Sequence, residues 1–351
     1  MLAAVYKEIR KISVQDLPIP STRNGSALVK TLASAICGYD VRVFNEGHRK
    51  VIAPVILGHE VCAVTLSDIV LPGHRTLRKG TRVSISPIIP CLRCYYCDNK
   101  FYNLCENLTE IGSSINGGFA EYMEIPINNL LIGGLVPIPD SLTNEEGSLI
   151  EPLACCLNSH LRLNPVSSDR SRDIVIIGDG PVGLIHLQIS KLYGGRTIVI
   201  GKIKNRIDHA INLGARTAFI DENMDDSVKK IMDLTNNVGV STVIVATSSP
   251  EAADLAFRIL GKNSKVNFFA GMPKDKIMSV DPNWIHYNQI TISGSFSSTP
   301  TMARQAIKLV EERRIDLSKI ISHKFSLFEI EEALATTQKF QGLRSVINSF
   351  C

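Results

Sequence analysis

Two rhythms of apolar and polar residues divide the chain. Up to about residue 150, short β-like runs recur, among them Ser26-Ala-Leu-Val-Lys-Thr-Leu, Glu60-Val-Cys-Ala-Val-Thr-Leu and Thr81-Arg-Val-Ser-Ile-Ser. Gly and Pro break these runs, and Pro126, Pro137 and Pro139 punctuate the segment beyond them. From about residue 170, continuous apolar runs alternate with segments of helix length: Asp173-Ile-Val-Ile-Ile, Thr197-Ile-Val-Ile, Thr242-Val-Ile-Val-Ala and Lys265-Val-Asn-Phe-Phe. Strands that are apolar on both faces and separated by helices predict a parallel sheet covered on both sides. The pattern then predicts two amphipathic helices, Thr301 to Arg313 and Leu327 to Lys339, and a final strand, Arg344-Ser-Val-Ile-Asn. The class expected is α/β, with no internal repeat and no low-complexity linker.

One junction between the rhythms carries chemistry. Ile174-Val-Ile-Ile-Gly178-Asp-Gly180-Pro181-Val182-Gly183 runs from an apolar strand into a predicted helix, Leu184 to Leu192. Inside a βαβ pattern this G-x-G-x-x-G predicts a dinucleotide site. Gly178 allows the tight turn, Gly180 lets the backbone approach a pyrophosphate, and Gly183 lets helix and strand pack closely. The next strand ends Ile198-Val-Ile-Gly201-Lys202-Ile-Lys204-Asn-Arg206, and no acid stands between Gly201 and Ile207. An acid there holds the ribose 2′-hydroxyl of NAD. Its absence, with room at Gly201 and the cations Lys202, Lys204 and Arg206, predicts NADP(H) in preference to NAD(H). The alternative is a solvated basic loop that tolerates both.

Length and charge narrow the class. At 351 residues the chain exceeds one ordinary core, so two domains are expected. The composition, 44% hydrophobic and 21% charged, is that of a globular protein. A net charge of +4 without a basic run argues against nucleic acid as a partner. No apolar run approaches the roughly 20 residues that span a bilayer, so no membrane partner is expected. Met1-Leu-Ala-Ala-Val-Tyr-Lys lacks the apolar core of a signal peptide. Nine cysteines therefore read as thiols and metal ligands of a cytoplasmic protein. Four of them, Cys91, Cys94, Cys97 and Cys105, are spaced C-x2-C-x2-C-x7-C. Thiolates so spaced can wrap one tetrahedral zinc, leaving no open position, which makes the site structural. Two disulfides are the alternative, but C-x2-C loops strain disulfide geometry.

Three more segments offer ligands: Cys37-Gly-Tyr-Asp40, Gly58-His59-Glu60 and Glu151-Pro-Leu-Ala154. Each alone has a bland reading, as a core thiol, a turn histidine or a helix cap. In this order around the cysteine cluster, with Gly117-Gly-Phe-Ala-Glu-Tyr122 and the dinucleotide motif, they resemble the zinc-dependent medium-chain dehydrogenase/reductase family, and most closely its polyol (sorbitol dehydrogenase) branch. The resemblance covers essentially the whole chain. It implies a GroES-like catalytic domain over residues 1–156, completed by 296–351, and a Rossmann domain over 157–295. It implies a second zinc, two per chain in all, held by Cys37, His59 and Glu151 or Glu60, with a position left for a substrate oxygen. Zinc there acts as a Lewis acid, while hydride passes between a secondary alcohol and the nicotinamide. By the same resemblance, Asp40 is expected to orient His59. A homodimer or homotetramer is implied as well.

The chain departs from the family's pattern at one point. Tyr39 stands where the family carries a Ser or Thr that passes the substrate proton outward, and His48 is a nearby candidate to complete the relay. Arg344 aligns with a family cation on the cofactor phosphates; the alternative is a surface arginine on an edge strand. Phe269-Ala-Gly271, and Ser295 with Phe296, fall where family strands pass the nicotinamide. Cys62, Cys155, Cys156 and Cys351 receive no role, and His74, His160, His186, His209, His286 and His323 read as structural or exposed. The expected substrate is a polyol or sugar. Arg42, His48, Arg49 and Lys50 raise a sugar or polyol phosphate as an alternative, beside a simple secondary alcohol and a non-catalytic NADPH-binding module.

Overall fold

The apolar runs after residue 170 form six parallel strands of one sheet. Their order across the sheet is Thr217–Ile220, Arg196–Gly201, Asp173–Ile177, Val240–Val245, Leu260–Phe268 and Thr291–Gly294. Ile198, Val199, Ile200, Val243, Ile244 and Val245 are fully buried, which explains why these strands carry no polar alternation. Each such side chain contributes about 1.5–3 kcal/mol on burial. The computed structural model describes residues 1–22, 25–73, 75–163 and 173–350, so His74 and Cys351, which carry no assigned role, lie outside the described residues.

By its contacts the chain divides into two units, Met1–Ala154 with Ser297–Cys351, and Cys155–Phe296. The second unit holds the parallel sheet. The helix that follows the strand Asp173–Ile177, Pro181–Leu192, begins with Gly180 as N-cap and Pro181 at the first helical position, where a missing N–H costs nothing.

The first unit is built on a seven-stranded, largely antiparallel sheet centred on the strand Ala27–Ala35. That strand pairs with Glu60–Thr65, Tyr122–Ile125 and Arg344–Ser349. Register places Ala35 opposite Glu60 on one side and opposite Val346 on the other. Cys37, Glu60 and the start of the last strand therefore meet at one end of the sheet. The amphipathic helices after residue 295 form as Pro300–Glu311 and Ile330–Gln338, the latter preceded by a single 3-10 turn, Leu327–Glu329. Among the described residues no helix is long and apolar enough to cross a membrane.

Candidate metal and cofactor sites

A short helix, Gly38–Glu46, follows the central strand, with Cys37 as its N-cap and Asp40 at the third position. Asp40 is fully buried. Its Oδ2 accepts the Cys37 N–H at 2.8 Å, and its Oδ1 accepts the Gly58 N–H at 3.3 Å. The same Oδ1 lies 3.4 Å from His59 Nδ1, an ion-pair contact rather than an aligned hydrogen bond. One carboxylate thus contacts both the Cys37 amide and the His59 ring and leaves His59 Nε2 as the nitrogen that does not face Asp40. Burial disfavours protonated His59, but Asp40 and Cys37 outweigh it and raise its pKa well above the ordinary value.

The Gly58-His-Glu60 turn is held from behind by Gly117-Gly-Phe119. The Gly117 N–H donates to Ile56 O at 2.8 Å, that of Gly118 to Gly58 O at 2.8 Å, and that of Phe119 to Leu57 O at 3.0 Å. A Cβ at Gly117 would lie 2.1 Å from Gly58 O, so only glycine permits this approach. Gly58 itself has φ +92°, a left-handed conformation.

The ligand atoms of Cys37, His59 and Glu60 all lie within 4.8 Å of one another. Glu60 Oε2 is buried without a well-formed hydrogen bond, the state of a carboxylate oxygen shaped for a cation. Its Oε1 lies 3.2 Å from Arg344 Nη2. Burial raises the Glu60 pKa, against the pull of Arg344. A cysteine sulfur, an imidazole and a carboxylate form a set of three donors, a number and chemistry that fit a catalytic zinc. Glu151 is buried near the start of the helix Ile150–Leu163 and acts electrostatically on Arg344, but stands outside that group of three.

Arg344 is 3% exposed and sits on an interior strand, which corrects the surface, edge-strand alternative. Its Nη1 donates to Ile36 O at 2.9 Å. Tyr39 faces the same region, with its ring edge-on to His59 at 5.7 Å. Its hydroxyl lies 2.9 Å from Ser113 Oγ and 3.2 Å from His48 Nδ1. His48 Nδ1 also accepts the Lys50 N–H at 3.3 Å, so this nitrogen is an acceptor and the Tyr39 hydroxyl donates to it. Ser113 is a participant that sequence reasoning missed.

The second cysteine set also gathers within 4.8 Å. Cys94 Sγ is 3.5 Å from Cys97 Sγ and 3.9 Å from Cys105 Sγ. A tetrahedral Zn(Cys)4 centre, with Zn–S near 2.3 Å, requires sulfurs about 3.8 Å apart. The Glu106 amide pulls the Cys94 thiol down to about 6, while burial pushes Cys97 up to about 12.

In the other unit the glycine motif makes the expected turn. A Cβ at Gly183 would lie 1.9 Å from Gly178 O, whereas one at Gly180 meets nothing nearer than Arg206 Nη1 at 3.9 Å. The helix N-terminus at Gly180, Pro181 and Val182 is therefore open to a phosphate, which fits a dinucleotide. The three cations beyond Gly201 are each engaged. Lys202 Nζ bonds Asp221 Oδ2 at 2.8 Å, Lys204 pairs with Asp208, and Arg206, only 6% exposed, lies 4.0 Å from Asp179 Oδ1. Ser295 Oγ donates to Asn267 Oδ1 at 3.1 Å.

Comparison with known proteins agrees with both units. Residues 23–140 match the family described as alcohol dehydrogenase GroES-like domain, and residues 181–312 match zinc-binding dehydrogenase. The chain is 29% identical to the sorbitol dehydrogenase of Bacillus subtilis (strain 168), over 97% of this chain and 95% of the relative. It is 30% identical to the D-arabitol-phosphate dehydrogenase of Enterococcus avium, over 95% and 93%. A zinc-binding dehydrogenase of Sinorhizobium meliloti 1021, solved bound to NADP, superposes with a TM-score of 0.88 at 26% identity, covering 99% of this chain and 98% of that one. The chain belongs to the zinc-dependent medium-chain dehydrogenase/reductase (alcohol dehydrogenase) family, in its polyol-like branch.

Proposed function

We propose that the protein is an oxidoreductase that transfers hydride between a secondary alcohol of a polyol or sugar and a nicotinamide dinucleotide. The observation that carries this reading is the convergence of Cys37, His59 and Glu60, with the Glu60 Oε2 lacking a well-formed hydrogen bond. These three residues would hold a zinc, Glu60 being the nearer of the two candidate carboxylates. When bound, the metal supplies Lewis-acid polarisation of a substrate oxygen and the cofactor carries the hydride.

The chain's own residues do the rest. Asp40 holds His59 and Cys37 in place. Tyr39, Ser113 and His48 give the alcohol proton a path: the Tyr39 hydroxyl donates to His48 Nδ1 and is itself within bonding distance of Ser113. Cys91, Cys94, Cys97 and Cys105 would hold a second zinc that stabilises its lobe. Gly178, Gly180 and Gly183 shape the cofactor turn, and Arg344, through Glu60, buttresses the metal ligands. A homodimer or homotetramer in the cytoplasm remains the expected setting, carried over from the family resemblance and the thiol reading.

A second reading, a sugar or polyol phosphate as substrate, is favoured by one observation. Burial and then Arg42, Lys50 and Arg49 lower the pKa of His48, so the segment beside Tyr39 carries a positive field. Lys50 is partly offset by Glu110 at 3.0 Å. Initial rates on polyols, sugars, their phosphates and simple secondary alcohols, each with NAD and NADP, test both readings. Turnover of a polyol or its phosphate is expected. No turnover of any alcohol by zinc-loaded protein overturns the assignment.

A further inference from the structure

The acid that family members of NAD type carry at the end of the second strand is absent here, but a carboxylate stands at that place. Asp179, the residue between Gly178 and Gly180, reaches across to the strand end. Its Oδ2 accepts the N–H groups of Lys202 and Ile203, each at 2.7 Å, and the residue is only 8% exposed. Gly201 is its counterpart. A Cβ built at Gly201 would lie 2.3 Å from Asp179 Oδ2 and 2.4 Å from Asp179 Cβ. No side chain fits at position 201 while Asp179 holds this position, so the strand-end acid and Asp179 exclude each other sterically.

We propose that Asp179 is the acceptor for the adenosine ribose hydroxyls, delivered from the glycine loop instead of the strand end, and that it makes the chain selective for NAD(H) over NADP(H). The two amide bonds fix Oδ2. Among the described residues, Oδ1 faces Arg206 Nη1 at 4.0 Å, beyond hydrogen-bond length, and keeps its capacity to accept from a hydroxyl. A 2′-phosphate at the same place meets the carboxylate's negative charge. The cations nearby each already face a carboxylate, Lys202 that of Asp221 and Lys204 that of Asp208 at the surface, and the buried Arg206 that of Asp179 itself. This proposal runs against the NADP(H) preference expected from those cations alone.

This inference rests on the dehydrogenase reading above. The test is calorimetric binding of NADH and NADPH to zinc-loaded wild type, Asp179→Ala, and the double variant Asp179→Gly/Gly201→Asp, in which no Cβ is left at 179 to meet the one added at 201. Wild type is expected to bind NADH about tenfold or more tighter than NADPH, Asp179→Ala to lose most of that ratio, and the double variant to regain it. Regain by moving the acid back to the strand end is not an effect a merely structural aspartate produces. If the double variant does not fold, Asp179→Asn keeps a ribose acceptor without the charge, and a ratio lowered by weaker NADPH rejection supports the proposal. NADPH bound as tightly as NADH by wild type, or an unchanged ratio in Asp179→Ala and Asp179→Asn, overturns it while leaving the dehydrogenase reading standing. Failure of wild type to bind either dinucleotide overturns both.

Discussion

Asp40 shows how much of the proposed metal site depends on one side chain. Its two oxygens serve the Cys37 amide, the Gly58 amide and the His59 ring, so it fixes two of the proposed ligands on separate segments. Asp40→Asn keeps the shape but removes the charge that orients the imidazole. It is expected to lower zinc retention at this site and kcat/KM by about 10–100-fold. The check is metal content after dialysis against a mild chelator, alongside rates; full retention and full rate would refute the role. Asp179 and Ser113 make the complementary point. Asp179 lies inside the glycine motif, yet its meaning depends on a strand end 23 residues away, at Lys202. Ser113 meets Tyr39 from 74 residues away. No periodicity or spacing rule links such pairs.

At the scale of elements, the helix Pro181–Leu192 and the helix Ile150–Leu163 bring two histidines into the apolar interior of one unit. His186 Nδ1 lies 3.2 Å from His160 Nε2, with Tyr193 stacked on His160 and Phe269 edge-on to His186. Burial lowers the His160 pKa to about 3; burial, with His160 beside it, lowers that of His186 well below its ordinary value. Unfolded histidine titrates near 6.5. Above that pH both states are neutral and the pair adds no pH dependence. Below it the unfolded chain binds protons that the folded chain excludes, so stability falls as pH drops toward 3. For His160 the expected loss is about 1–2 kcal/mol between pH 6.5 and 5, and His186 adds to it in the same direction. Denaturant unfolding of wild type and His186→Phe across that range measures it. The variant's slope is expected to be shallower, and an identical slope would contradict the pairing. Elements of this kind were legible in sequence wherever the pattern is local. The apolar strands, the helix after Gly180 and the two late helices all form within a few residues of where the hydrophobic rhythm places them.

At the scale of the molecule, the chain's order is not its spatial order. The last strand returns to the middle of the first unit's sheet, so Arg344 bonds Ile36 from 308 residues away and faces Glu60. That return is why the surface, edge-strand reading of Arg344 does not hold: the residue is buried beside Glu60, a proposed metal ligand. The cysteine cluster, by contrast, is closed by a single short segment and was legible in full. That Glu60 rather than Glu151 gathers with Cys37 and His59 was not, because it depends on which carboxylate the sheet register carries next to Cys37.

Two chemically different zinc sites in one chain, one built to open onto substrate and one closed, are the central claim. The most direct measurement is the zinc-to-protein ratio of purified wild type, Cys37→Ser and Cys94→Ser, with rates and melting temperature taken on the same samples. Wild type is expected to hold two zincs. Cys37→Ser is expected to hold one, with turnover lost and melting little changed, whereas Cys94→Ser is expected to lose the other zinc and melt lower. A wild type with a single zinc, or a Cys37→Ser protein that keeps both zincs and its turnover, would contradict the claim.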